Sequence, residues 1–327
     1  MTVSIIIAAK TYGKNLKECV DNCLRLDCKD YEVIILPDKS FIHSFPAFVR
    51  VIPTGEVTPP YKRDIGAKKA KGEILAFIDD DAYPDRNWLN EAMRIFKEDS
   101  NIGCVCGPAV TPSSDGIKEK ASGVVYSSFL VSGNHIYRYL PKKRRESIDF
   151  PSCNFLVRKD LFLKVGGFEK PYWPGEDTFL CLKILKAGKK IIYDPKVLVY
   201  HHRRPLFKVH LKQIRNYALH RGYFVKKYPE NSLRIEYFFP SLFVIGIMGG
   251  FFLSFYFTFI RFLYIFFLSF YLFLVLTNSA ILAFQEKVNL VDKIKLFFLV
   301  SSGIILTHLF YGIYFIKGLL MQKMPEE

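Results

Sequence analysis

Five apolar residues, Ile74, Leu75, Ala76, Phe77 and Ile78, run directly into Asp79-Asp80-Asp81. An unbroken apolar run of this length reads as a strand buried on both faces, the kind found in a parallel sheet covered by helices. Three adjacent carboxylates are poor core material, because like charges repel. A divalent cation relieves that repulsion. Oxygen ligands suit Mg2+ or Mn2+, and such an ion usually also holds substrate phosphates. The plainer alternative is a solvated acidic turn that caps the next helix.

The elements around this strand fit a parallel sheet. Residues 3–9 form a short apolar run, and residues 15–26 an amphipathic helix with Leu16, Cys19, Val20 and Cys23 on one face. Residues 31–36 form a second strand that ends in Pro37-Asp38. Strand, helix, strand at this spacing is a right-handed βαβ unit. Ligands of such sheets bind beyond the carboxyl ends of the strands, where Asp38 and Asp79 to Asp81 are expected. No Gly-x-Gly-x-x-Gly follows the first strand, so a dinucleotide site is not expected. Residues 49–52 are a weak third strand. Residues 61–71 are a basic helix whose Lys62 and Arg63 stand at its start, near the expected site.

Further on, residues 88–96 read as a helix and 102–110 as a strand ending in Gly107-Pro108. Residues 111–149 show no clear pattern; a basic loop, Pro141-Lys142-Lys143-Arg144-Arg145, closes them. Ser152-Cys153-Asn154, a Gly166-Gly167-Phe168 turn and Gly175-Glu176-Asp177 follow, the last opening a helix over 179–185. Two carboxylates after a glycine suit a helix N-terminus or a general base. Strands at 191–193 and 197–200 lead to His201-His202-Arg203-Arg204. Imidazole and guanidinium groups at a strand end suit metal and pyrophosphate contacts.

The composition changes at Tyr237. Residues 238–260 and 262–284 carry no charge, with Arg261 between them, and residues 296–316 hold only His308 as a titratable group. Each run is long enough to span a bilayer, which takes about 20 residues. The third, containing Gly and Ser, spans or lies re-entrant. Lys287, Lys293 and Lys295 between the second and third runs favour the cytoplasmic side. Of the net charge of +15, residues 1–236 carry +13, with 40 Lys/Arg against 27 Asp/Glu. A basic soluble part beside apolar runs suggests membrane lipids and phosphate-bearing substrates as partners. The basic amphipathic helix over about 208–228 fits the bilayer surface. No zinc-finger spacing or aromatic RNA-binding signature occurs, so no nucleic acid partner is expected. Seven cysteines without a Cys-x-x-Cys pair suit reduced, buried thiols in a cytosolic domain. The chain opens directly into a strand, so no cleavable signal is expected.

Taken in order, Arg63-Asp64-Ile65-Gly66, Ala70-x-Gly72, Phe77-Ile78-Asp79-Asp80-Asp81, Cys153-Asn154-Phe155, Gly166-Gly167-Phe168, Gly175-Glu176-Asp177 and His201-His202-x-Arg204 resemble a family 2 glycosyltransferase with a C-terminal transmembrane anchor. His308-Leu309-Phe310-Tyr311-Gly312 resembles the membrane tail of many members. The resemblance implies an α/β GT-A fold: a Rossmann-like, mixed, mostly parallel sheet flanked by helices, then an all-α transmembrane region. The transferase domain would cover residues 1–236 and the membrane helices residues 237–327.

The same resemblance implies a nucleotide-sugar donor, Mn2+ or Mg2+, inversion at the anomeric carbon, and a lipid-linked or glycan acceptor hydroxyl met at the cytoplasmic face. By position, Asp79 would face the ribose with Asp80 beside it, and Asp81, Asp79 and His202 would hold the metal. Asp177 would be the base and Glu176 its neighbour, orienting the acceptor or the base. Asp38 would contact base or ribose, Arg63 the nucleotide, and His201 with Arg204 the diphosphate. Ala8-Ala9-Lys10-Thr11 stands where Pro-Thr-Tyr-Asn is usual, and Pro37-Asp38-Lys39 where Asp-Asp-Gly is common. Ala8, Lys10 and Asp38 therefore border the base pocket and leave UDP, GDP and dTDP open. A polyprenyl-phosphate sugar synthase and a catalytically inactive membrane scaffold are the alternatives.

Overall fold

The computed structural model describes residues 1–168 and 172–324. It forms two compact units, the first joining Met1–Val110 to Tyr137–His202, the second joining Thr111–Ile136 to the chain from Arg203 onward. The boundary expected at residue 236 falls inside the second unit. Residues 325–327 of the expected membrane region lie outside the described residues.

The first unit begins with β1 (Val3–Ala8), α1 (Lys14–Cys23), β2 (Tyr31–Leu36), β3 (Val49–Val51) and α2 (Pro59–Lys69). It continues with β4 (Ile74–Asp79), β5 (Ala82–Pro84), α3 (Trp88–Glu98), β6 (Ile102–Cys106) and β7 (Ala109–Val110). The second unit's α4 (Ile117–Ser127) and α5 (Phe129–Ser132) come next in the chain. The first unit then closes with β8 (Arg145–Ser147), β9 (Asn154–Arg158), α6 (Lys159–Lys164), α7 (Glu176–Lys186), β10 (Lys190–Tyr193) and β11 (Val199–His201).

Among the described residues the main sheet has eight strands in the order β3-β2-β1-β4-β9-β6-β10-β8. β3, β2, β1 and β4 run parallel, while β9 is antiparallel to both β4 and β6. The apolar strands alternate across the sheet, as the two-residue strand period requires. Ile5, Ile7, Ile35 and Ile78 pack on one side with Leu16 and Val20 of α1 and Trp88 and Leu89 of α3. Ile6, Ile34, Leu36 and Phe77 pack on the other with Ala67 of α2, Phe162 of α6 and Leu180 of α7. Helices on both faces explain why β1, β2 and β4 read as continuous apolar runs.

The strand expected over 102–110 is broken at Gly107-Pro108. β6 stays in the main sheet and β7 joins a second, three-stranded sheet ordered β5-β11-β7. The buried side chain of Asn154 stitches this break. Its Nδ2 donates to the carbonyls of Gly107 (2.8 Å) and Val197 (2.8 Å), and its Oδ1 accepts from Trp88 Nε1 (2.8 Å).

The second unit holds α4 and α5 together with α8 (Lys208–Lys227), α9 (Pro229–Ser232), α10 (Phe239–Ser254), α11 (Thr258–Gln285) and α12 (Leu290–Leu320). Among the described residues three helices are long and apolar enough to cross a membrane: Ile235–Ser254, Thr258–Gln285 and Leu290–Leu320. α12, expected to span or to be re-entrant, is one unbroken helix of 31 residues, roughly 46 Å at 1.5 Å per residue. Arg261, which separates the first two apolar runs, sits in the first turn of α11. Its Nε donates to Ser254 O (3.0 Å), occupying an end carbonyl of α10. α8 packs along α12 at glycines: a Cβ at Gly222 would lie 2.2 Å from Phe315 O, and one at Gly318 would lie 2.1 Å from Leu219 O. His210 of α8 is buried between Ser122 Oγ of α4 (2.8 Å) and Thr307 Oγ1 of α12 (3.1 Å).

Candidate active site

Register builds the site. β4 is hydrogen-bonded to β1 so that Asp79 lies opposite Ala8. The chain then turns through Asp80 and Asp81 into β5, where Ala82 pairs with His201 of β11. The His202 N–H donates to Asp81 O (2.9 Å), fixing this edge. The pairing brings His201 Nε2 to 3.0 Å from Asp81 Oδ1. Ligand atoms of Asp79, Asp81 and His201 all lie within 4.8 Å of one another.

Of the two imidazoles it is His201, not His202, that joins the carboxylates. His202, expected on the metal, puts Nε2 3.0 Å from Glu18 Oε2 of α1. β11 ends at His201, so only that imidazole is held in the register that faces Asp81.

Arg63 of α2 ties the cluster to α7. Its Nη2 donates to Asp79 Oδ1 (2.5 Å) and its Nη1 to Glu176 Oε1 (3.2 Å), with the guanidinium 5.6 Å from the centre of the Phe168 ring. The next residue, Asp64, accepts from the Phe168 N–H (2.9 Å) and so holds the Gly166-Gly167-Phe168 turn under Arg63. Glu176 and Asp177 open α7. Gly175 before them has φ 116°, a conformation side chains resist, and this turns the two carboxylates into place. Asp177 Oδ1 accepts from the Thr178 N–H (2.8 Å) in the helix's first turn.

The charges are not comfortable together. Burial, then the charges of Asp81 and Asp79, push the Asp80 carboxyl up to about 7. Burial and Asp177 raise Glu176 to about 8 against the pull of Arg63. Burial works against a charged His201, but the Asp81 charge and hydrogen bond, with Cys153, raise it to about 10. Two carboxylates and an imidazole converging in an acidic, half-buried recess match the donor set of a divalent cation that accepts oxygen and nitrogen.

At the ends of β1 and β2, Asp38 is ion-paired with the buried Lys62, whose Nζ also donates to Ala9 O (2.6 Å). Lys10 O accepts from the Asp38 N–H (3.1 Å). Lys10 is exposed and Ala8 half-buried. Tyr12 stacks on Phe41 (4.6 Å between centres) beside them. Arg204 belongs to the second unit. Lys62, read at the start of the basic helix near the expected site, pairs with Asp38 there. Asp64 and Asn154 stand in the sequence only as letters of the resembling motifs, and Glu18 carries no sequence signal. For Asp64 the available signal was that Lys62-Arg63-Asp64 occupies the first turns of α2, whose N-terminus points at the strand ends.

A mixed sheet of this order, with an acidic strand end joined by a histidine, has the architecture of a GT-A glycosyltransferase domain. Residues 4–166 match the family model Glycosyl transferase family 2, and the chain carries a domain of that family. Pre-mycofactocin glycosyltransferase of Mycobacterium tuberculosis is 29% identical over 146 residues, covering 45% of this chain and 30% of its own length. The chain thus spans under a third of that relative. Dolichyl N-acetyl-alpha-D-glucosaminyl phosphate 3-beta-D-2,3-diacetamido-2,3-dideoxy-beta-D-glucuronosyltransferase of Methanococcus voltae is 22% identical over 243 residues, 69% of this chain and 74% of its own. Mannosyltransferase PcManGT from Pyrobaculum calidifontis, solved with GDP-Man and Mn2+, shares the fold with a TM-score of 0.50 at 18% identity, covering 69% of this chain and 63% of that one.

Proposed function

We propose that the chain is an inverting, metal-dependent glycosyltransferase. It moves a sugar from a UDP-, GDP- or dTDP-sugar to a hydroxyl of a lipid-linked or membrane-presented acceptor at the cytoplasmic face. The observation that carries this is the convergence of Asp79, Asp81 and His201 within 4.8 Å at the ligand-binding edge of a family 2 domain. Those three residues would hold Mn2+ or Mg2+, which supplies positive charge against the leaving diphosphate.

The protein's own groups do the rest. Asp177 takes the acceptor hydroxyl proton as the oxygen attacks the anomeric carbon opposite the leaving group. The new C–O bond forms while the bond to the diphosphate breaks, and its electron pair leaves with the nucleoside diphosphate. Arg63, held by Asp79 and Glu176, keeps α7 aligned with the donor edge. Asp38, Ala8 and Lys10 border the base, with Tyr12 and Phe41 as its stacking platform.

The relatives support the acceptor class. The Methanococcus protein is named for a dolichyl-linked substrate, as is glucosyl-dolichyl phosphate glucuronosyltransferase of Haloferax volcanii, 23% identical over 149 residues. Lys287, between α11 and α12, with Lys293 and Lys295 in the first turns of α12, supports the cytoplasmic orientation. The test is nucleotide release by the detergent-purified protein across a panel of UDP-, GDP- and dTDP-sugars with Mn2+ or EDTA. Release from one donor class that EDTA abolishes is expected. Release indifferent to EDTA would overturn the metal-dependent reading.

A further inference from the structure

The second unit contains a groove that the transferase reading leaves unused. It lies between α10 and α11 and encloses about 490 Å3, within the roughly 300–1,000 Å3 of ordinary ligand pockets. Phe243, Gly246 and Gly250 line it from α10; Tyr264, Phe267 and Tyr271 line it from α11. Gly246 and Gly250 share a helix face, four residues apart. That spacing in an apolar helix commonly lets a second helix approach closely. Here a Cβ at Gly246 would meet nothing within 4 Å, whereas one at Gly250 would lie 2.8 Å from the Tyr264 ring. The missing side chain at Gly246 leaves the groove open, and the one at Gly250 lets the Tyr264 ring form its wall.

Its walls are braced. The Tyr271 hydroxyl donates to His308 Nδ1 (3.0 Å), and His308 Nε2–H donates to Leu130 O (2.9 Å). Phe243 packs on Tyr271 with ring centres 4.3 Å apart. A braced groove is pre-organised, which lowers the cost of binding.

The occupant follows from the surroundings. α10, with the turn before it, and α11 are both long and apolar enough to cross a bilayer, so the groove opens on hydrocarbon. A straight acyl chain gains little by leaving like chains for this groove, since no hydrophobic force distinguishes one hydrocarbon from another. A chain held there gains by shape, through dispersion contact with fixed ring faces. Methyl branches and planar double bonds give a polyisoprenoid such a shape. We propose that the α10–α11 groove binds the polyisoprenoid chain of the acceptor lipid. The inference rests on the transferase reading for the identity of that lipid as acceptor, not for the groove itself.

The test uses the full chain in phosphatidylcholine–phosphatidylglycerol nanodiscs, a diazirine-bearing farnesyl phosphate as photolabel, and peptide mapping. Label should concentrate on the groove walls of α10 and α11. Excess undecaprenyl phosphate should reduce it about tenfold, and an equal mole fraction of dioleoyl phosphatidic acid should not. Gly246→Leu and, from the facing helix, Leu263→Trp fill the groove and should each cut labelling about tenfold. Met248→Leu, outside the groove, should leave it intact. Equal competition by phosphatidic acid would mean that bulk lipid fills the groove, and crosslinking of two copies through residue 246 would make it a self-association face; either overturns the proposal. Sugar transfer measured in the same discs separates the two claims. Specific labelling without transfer keeps the groove and sinks the transferase reading, while transfer with scattered label sinks the groove alone.

Discussion

Two histidines close in sequence show how differently the two units treat polar groups. His201, at the end of β11, lies beside Asp81 and is raised to about 10 despite its burial. His210, in the first turn of α8, is hydrogen-bonded to the Ser122 and Thr307 hydroxyls and packed against the Tyr126 ring, and burial pushes it down to about 4. The first unit gathers charges until they strain against one another. The second seats this histidine between neutral hydroxyls. The first arrangement invites a cation and a charged substrate; the second holds helices together.

The largest effect should come from removing a charge from the first arrangement. Asp81→Ala takes away one carboxylate of the cluster and the partner of His201. Turnover should fall by more than the ~10³-fold lost with a single charge-stabilising donor. EDTA on the unaltered protein should match it, and circular dichroism should show the fold retained. Substantial turnover in Asp81→Ala would remove the cluster from the chemistry.

The second test breaks the neutral arrangement. His210 has a folded value below the ordinary 6.5, so the unfolded chain binds the extra proton first as pH falls. Its contribution is complete above about 6.5 and is lost on the way down to about 4. A shift of that size corresponds to on the order of 3 kcal/mol. Thermal unfolding in detergent should therefore show stability falling with acid across that window, and His210→Gln should flatten the slope. An equal slope in the variant would assign the acid sensitivity to other groups.

The third test returns to the charged end. Asp177→Asn should lower kcat by about 10²-fold with donor affinity nearly unchanged, as expected for a lost general base. Full activity would favour the polyprenyl-phosphate sugar synthase, whose phosphate acceptor needs no base. Collapsed donor affinity would move Asp177 into the nucleotide site.

These contrasts also explain what the sequence made legible. β1, β2 and β4 were readable because strands covered on both faces must be continuously apolar, and their length fixed them. The acidic strand end stood out because three adjacent carboxylates closing an apolar strand are poor core material. The choice between His201 and His202 was not, because it depends on β11 pairing with β5, a three-residue strand no periodicity announces. Asn154 and Asp64 were visible only as motif letters. Their partners, at Gly107, Val197 and Phe168, are distant in sequence, and only the folded chain brings them within hydrogen-bond reach. The two compact units also divide the chain differently from the composition change at Tyr237, for a related reason. Residues 111–136 showed no pattern alone, because their apolar positions are completed by α12 rather than by a repeat of their own.

The smallest effect should come from a single neutral bond in the second unit, and it measures how weak such bonds are beside the charged cluster. Ser128 Oγ donates to Asn278 Oδ1 of α11 (2.7 Å) while accepting from the Leu130 N–H (3.2 Å) at the start of α5. Side-chain hydrogen bonds between helices in bilayers average only about 0.6 kcal/mol, because the separated helices find other partners. Asn278→Leu removes that bond and leaves the cap on α5. Ser128→Ala removes both, and a lost helix cap adds about 0.5–2 kcal/mol. Ser128→Ala should therefore be the more destabilising change. The coupling in a double-mutant cycle should be near 0.6 kcal/mol, the bond alone, since the cap term cancels. A coupling above about 2 kcal/mol would mean that Asn278 and Ser128 form part of a larger polar network. The contrast between charged and neutral units would then be one of partner number rather than of charge.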